Sequence, residues 1–319
     1  MQLRFTQESD FRQERDFGQK ISATFEFIGA HWQPLGRVLL YLVVPATLLQ
    51  NVLAVVAQQQ LHGAVRGAME GRRPGVGGVL GMQGELWGTM LRSPVYWLNS
   101  LLGAAVFALV VLSVYGYLVL LLHRRQPDPA PTVAEVWAVV RQEFIGTYFS
   151  LWGVSLLVGI GMFLLFFPGL YLAVALSLFF IVKLSEGTGF GQTLRRCLHL
   201  TRGKWWSTFG VIFIMFLILY LVLIGFGVVA TLLSGGVAAV VHASQEQSPL
   251  FTVAVTSGLS VVKLLLCPPL LLVLAFQYFN LVERKDGVGL RRMVETLGTI
   301  SAAPVASSAA FRPDEEGEY

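Results

Sequence analysis

Charge is what this sequence is short of. Asp, Glu, Lys and Arg make up 13% of its 319 residues, about half the share of an ordinary soluble domain, whereas 55% are apolar. A soluble core has no use for that much hydrocarbon. Cysteine is equally scarce. Cys197 and Cys267 fall on a basic amphipathic segment and inside an apolar run, so no disulfide and no metal or redox motif is expected of them. Both read as small packing residues. His31, His62, His123, His199 and His242 are scattered, and all 19 Asp and Glu stand outside the apolar runs. Paired carboxylates, a metal cluster or a nucleophile with its base therefore do not converge. Ser and Thr within the runs read as helix-packing residues. The glycines Gly75, Gly77 and Gly81 miss the dinucleotide-binding spacing by one and follow no strand, which excludes a phosphate cradle. No ten-residue alternation of the kind found in a β-barrel occurs either. The first twenty residues carry Arg4, Glu8, Asp10, Arg12, Glu14, Arg15, Asp16 and Lys20 and no apolar h-region, so the first span, rather than a cleaved signal peptide, is expected to direct insertion.

What is present is a series of chargeless runs, several of 18 residues or more, each long enough at about 1.5 Å per residue to cross about 30 Å of hydrocarbon. They predict an all-α polytopic bundle of about six transmembrane helices. The first covers 38–56, kinked about a turn before Pro45; the second lies within 95–122 and the third within 145–167. A tight turn at Pro168-Gly169 leads into the fourth, 170–182, followed by the fifth, 209–229. The sixth lies within 251–281 and is bent by Pro268 and Pro269. Gly153, Gly159 and Gly161 in the third run suit close helix approach. Residues 1–300 read as a single integral membrane domain. Residues 301–319, acidic and low in complexity, read as a disordered cytoplasmic tail.

Amphipathic segments punctuate the spans. Phe17, Ile21, Thr24, Phe25, Ile28 and Trp32 form one stripe, ended by Pro34; Val133, Val136, Trp137, Val140 and Phe144 form a second, launched by the QPDPAP turn. In the third, Phe190, Leu194, Cys197, Leu198 and Thr201 share a face, with Arg195, Arg196, His199 and Arg202 opposite. Lys204, Trp205 and Trp206 then mark a headgroup layer. A fourth stripe, Leu290, Met293, Val294 and Leu297, follows the last span. Surface helix, span, turn and span recur as three hairpins. The long link from Gln58 to Pro94, with nine glycines, and Ser234–Pro249, with no Lys or Arg, read as external loops.

Lys and Arg alternate in abundance from loop to loop, and 18 of the 23 fall on the side that also holds both ends of the chain. By the positive-inside rule both termini are cytoplasmic, and orientation accounts for the net charge of +4 and the pI near 9.2 without nucleic acid. Two polar features remain as candidate sites. Arg195, Arg196, Arg202 and Lys204 can contact anionic phospholipid, at roughly 1 kcal/mol per cation, or serve topology alone. Lys263, the single charge within an expected span, either faces the bundle interior as an intramembrane polar site or snorkels to the external interface.

Residues 168–210, through Pro168-Gly169, Glu186-Gly187, the Leu194–Leu200 helix and Thr201-Arg202-Gly203, resemble the multi-pass membrane domain attached to some bacterial glycerophosphodiester phosphodiesterases and its stand-alone relatives. Leu281-Val282-Glu283-Arg284-Lys285, with Gly287 and Gly289, is similar to the ending of some of those relatives. The phosphodiesterase domain, with its metal-binding His and acidic residues, has no counterpart in these residues. The resemblance implies a fold and a bacterial inner-membrane address without catalysis or cofactor. The expected function is a non-catalytic scaffold or accessory that organises lipids or a partner protein. The alternative is a transporter or channel-like protein for a lipid-related or anionic solute. Washing membranes with alkaline carbonate should leave the chain in the pellet; recovery of folded protein in the supernatant would refute the membrane reading.

Overall fold

In water-free surroundings a backbone satisfies its own polar groups best as helix, and helices are what the long apolar runs form. The structure, a computed structural model, describes residues 11, 13–70, 81, 84, 87–123, 130–233 and 249–287. Among them are nine α-helices: α1 (Phe17–Leu42), α2 (Val44–Glu70), α3 (Pro94–His123), α4 (Val133–Leu164), α5 (Phe166–Leu176), α6 (Phe179–Glu186), α7 (Phe190–Thr201), α8 (Trp205–Leu233) and α9 (Pro249–Asp286). Five membrane-crossing candidates stand out by length and composition: α3, α4, α5 with α6, the 205–226 part of α8 and the 266–286 part of α9. The bent pair of α1 and α2 makes a sixth. The protein is an all-α membrane bundle. The glycine-rich 71–80, most of QPDPAP, the 234–248 connection, the fourth amphipathic stripe and the tail lie outside the described residues.

α3 and α9 form the interior pair: the most apolar window of each is 72% buried, against 11% in α4 and in α8. α9 packs on α1, α2, α3, α6, α7 and α8, and α3 touches α1, α2, α4, α6 and α9. Phe11, Phe27, Leu112, Tyr115, Tyr117, Phe179, Phe276 and Phe279 fill the space between them. The outer helices turn their apolar faces outward. On α4, Ile145, Phe149, Leu156 and Phe163 are exposed, Phe163 at 91%; on α8, Phe213, Phe216, Tyr220 and Leu221 do the same. Contiguous apolar surface on this scale marks contact with lipid or protein, and in a bilayer it meets tails as apolar as itself.

Prolines move the boundaries from where the sequence suggests. Pro34 does not end the first amphipathic helix; α1 passes through it to Leu42. The reason is a continuous buried stripe, Phe27, His31, Leu35 and Val38, that spans the proline and outweighs its one missing hydrogen bond. The break comes at Val43, where α1 and α2 meet at 46°. Pro45 sits in the first turn of α2, where no N–H is needed. Likewise the reversal expected at Pro168-Gly169 lies at Leu165. This residue, extended at φ −152° and ψ 122°, ends α4 and starts α5. Pro168 again occupies a first turn. The second amphipathic segment and the third span are one helix, opened by a capping box between Thr132 and Glu135. α9 runs unbroken past Pro268 and Pro269.

The stripe on α1 is also displaced. Lys20, Ala23, Thr24, Phe27 and His31 face inward, while Phe17, Phe25 and Trp32 are exposed. Of the three glycines proposed for close packing, Gly161 lies against Gly169, Gly153 lies against the Phe190 ring, and Gly159 faces open space. The α4–α5 junction is the tightest: a Cβ on Gly169 would stand 2.3 Å from the Met162 backbone nitrogen. Gly169→Ala should therefore force the two backbones apart and cost about 1–3 kcal/mol, read as a lower unfolding midpoint in detergent. Gly159→Ala should leave the midpoint unchanged or raise it; equal effects at the two sites would contradict this packing.

Candidate functional site

The basic segment that dominates the sequence reading becomes α7, lying across the end of the bundle on α5, α6 and α9. Gly187, at φ 62°, ends α6 in the left-handed conformation that glycine takes without strain. The turn to α7 is held by the Thr188 and Thr193 hydroxyls, 2.8 Å apart. Thr193, Cys197, Leu200 and Thr201 are the residues α7 buries. The buried face is therefore rotated from the expected stripe toward Arg196, and Phe190 is left partly exposed. Burial, with the Glu186 carboxylate nearby, pushes the Cys197 thiol up to about 12, so it stays protonated at neutral pH and acts as a packing group. Cys197 and Cys267 are both free thiols.

This rotation separates the four candidate lipid contacts. Arg195, Arg202 and Lys204 are exposed. Arg196 is half-buried and closes a latch instead: its Nε donates to Glu186 Oε1 at 2.9 Å, and a terminal NH2 group donates to Asp286. These carboxylates, the Asp286 hydrogen bond foremost, hold its guanidinium well above the usual arginine range. Tyr278 Oη donates to the same Glu186 oxygen at 3.1 Å, and Lys285 Nζ donates to the backbone carbonyls of His199 and Arg202. The ends of α6, α7 and α9 are thereby tied together.

The segment before α1 is bound to the same end of α9. Phe11 is fully buried among Phe27, Phe276 and Phe279, with ring centroids 6.0–6.1 Å apart. Arg15 lies 5.1 Å over the Phe276 ring, and Asn280 Nδ2 donates to its carbonyl at 2.7 Å. At the start of α8, Trp205 stacks on Tyr171 and Phe209, and Trp206 is 77% exposed. Indoles in this position suit a headgroup boundary. Lys263 lies on α9, and its side chain is outside the described set.

Among the described residues, no group of three or more His, Cys, Asp or Glu side chains gathers in a metal-binding arrangement. No family model, curated protein or solved structure matches the chain. Sequence reasoning missed the partners of Arg196. Glu186 carries a signal, since a carboxylate at the end of an apolar span calls for a partner. Asp286, ninety positions from Arg196, carries none. Arg196→Met should cost about 2 kcal/mol, between the 0–1 of an exposed pair and the 3–5 of a buried one. Adding Glu186→Gln and Asp286→Asn should restore most of the unfolding midpoint; a single variant as stable as the parent would show that the latch is idle.

Proposed function

We propose that this protein is a non-catalytic accessory of a bacterial inner membrane, with both termini cytoplasmic, that gathers anionic phospholipid around itself and presents the gathered patch to a partner protein. The observation that carries the reading is the rigid basic ridge. Arg195, Arg202 and Lys204 stay exposed because α7 is pinned by its fourth cation, Arg196, to Glu186 and Asp286. The ridge adjoins the Trp205-Trp206 pair, and the preference of indoles for the headgroup layer supports phosphate contact by its cations.

Two further features support a scaffold over a conduit. The interior between α3 and α9 is filled by fully buried aromatic rings, Tyr115, Tyr117, Phe27, Phe276 and Phe279. The outer faces of α4 and α8 offer broad apolar surface to lipid or to a neighbouring protein. The resemblance of 168–210 to membrane domains attached to glycerophosphodiester phosphodiesterases fits a role beside lipid chemistry carried out by another chain or domain.

Replacing Arg195, Arg202 and Lys204 together with Gln tests the reading. At roughly 1 kcal/mol per cation the loss is about 3 kcal/mol, or ~100-fold in anionic-lipid affinity. Native mass spectrometry from nanodiscs should show co-purified anionic lipid falling while the unfolding midpoint holds. An unchanged lipid profile would overturn the proposal. Arg196 is left intact in that variant because its loss would release α7.

A further inference from the structure

Lys183 is set apart from the other cations. Its side chain is nine-tenths buried, yet its contacts are loose: Thr147 Oγ1 stands 3.4 Å from Nζ and Glu143 Oε2 3.8 Å. Both exceed the 2.7–3.2 Å of a well-formed hydrogen bond. An ammonium withdrawn from water without tight partners is costly. It lines a cavity of about 370 Å³ between α3, α4 and the α6–α7 turn, with Gln142, Glu143, Gly187, Thr188 and Gly189 on the wall. That volume falls within the roughly 300–1,000 Å³ of small-molecule sites.

Two charges of opposite sign therefore share the wall. Lys183 lies deep, and Glu143, 41% exposed, is the more accessible of the two. Gly189, the N-cap of α7, lies on the same wall. A purely anionic ligand would meet the Glu143 carboxylate, and a purely cationic one would meet Lys183. A zwitterion that carries a phosphate and a primary amine matches both. Lys183 is three residues from the end of the 166–186 span, and the end of a span is where a chain meets headgroups.

We propose that this cavity binds the phosphoethanolamine headgroup of a membrane lipid, its phosphate held by Lys183 and its ammonium by Glu143. The inference rests on the membrane reading alone and is independent of the basic ridge. Because the ammonium must donate hydrogen bonds to Glu143, a trimethylated phosphocholine headgroup fits poorly.

The test is native mass spectrometry of the full chain from nanodiscs that mix phosphatidylethanolamine, phosphatidylglycerol and phosphatidylcholine in equal parts. The parent should retain phosphatidylethanolamine about tenfold over phosphatidylcholine, which neither the cavity nor the basic ridge favours, the scale of one charged hydrogen bond. Lys183→Met should abolish that retention. Glu143→Gln, with its folding checked by the unfolding midpoint because it removes the carboxylate nearest Lys183, should shift the preference to phosphatidylglycerol. Soluble glycerophosphoethanolamine should displace the lipid, whereas inorganic phosphate should not. Equal retention of the three lipids, an unaltered preference in Glu143→Gln, or displacement by phosphate alone would each overturn the proposal. The Arg195, Arg202 and Lys204 triple variant should keep its phosphatidylethanolamine, so failure of either reading leaves the other standing.

Discussion

A polar group inside a bundle surrounded by hydrocarbon has no water to turn to, and the interior chemistry of this protein follows from that constraint. The nearest acceptor is often the preceding turn of the same helix. Thr24 donates to Lys20 O at 2.8 Å, Thr47 to Val43 O at 2.9 Å, Ser100 to Tyr96 O at 2.9 Å and Ser150 to Gly146 O at 2.6 Å. Thr208 does the same toward Lys204 O while its oxygen accepts from Gln277 Nε2 at 3.0 Å, which fixes α9 against α8. Such hydroxyls are spent on the backbone or on a neighbouring helix.

The same constraint explains how much of the molecule the sequence reveals. Chargeless runs had to be helices, so their number and order were legible. Their faces were not, because packed core and lipid are both apolar. Phe25 and Trp32 belong to the apolar stripe of an expected surface helix and are exposed on α1, while Lys20 and His31 lie inside. His31 is accommodated by stacking 4.5 Å from Phe27 with Nδ1 near the Phe27 carbonyl. Boundaries were obscured for a related reason. Proline disrupts a helix interior but costs little in a first turn, and Pro45 and Pro168 both occupy first turns. Only the packed structure shows which role a given proline takes.

The candidate sites divide along the same line. That α7 would be basic on one side and apolar on the other was written in its periodicity. That one of its arginines would turn inward depended on Asp286, which reaches it only because α9 ends where α7 crosses. Gly169 was expected in a turn but lies inside α5, and its demand for a bare Cα comes from Gly161 and Met162 on the preceding helix. No local pattern encodes that approach.

The latch and the cavity meet in the last turn of α6. Lys183 and Glu186 are three residues apart, a spacing at which opposite charges on a helix ordinarily pair. Here they part. Arg196 and Tyr278 hold the Glu186 carboxylate toward α7 and α9, and Lys183 reaches instead toward α4, where Glu143 and Thr147 meet it loosely. The strength of one interaction thus accounts for the slackness of the other: a guanidinium with two carboxylates leaves an ammonium with only long contacts beside an open cavity. Glu186, just ahead of the Gly187–Gly189 turn, is held to Arg196 beyond it, and that turn lines the cavity, so the element that steadies the basic ridge also shapes the cavity wall.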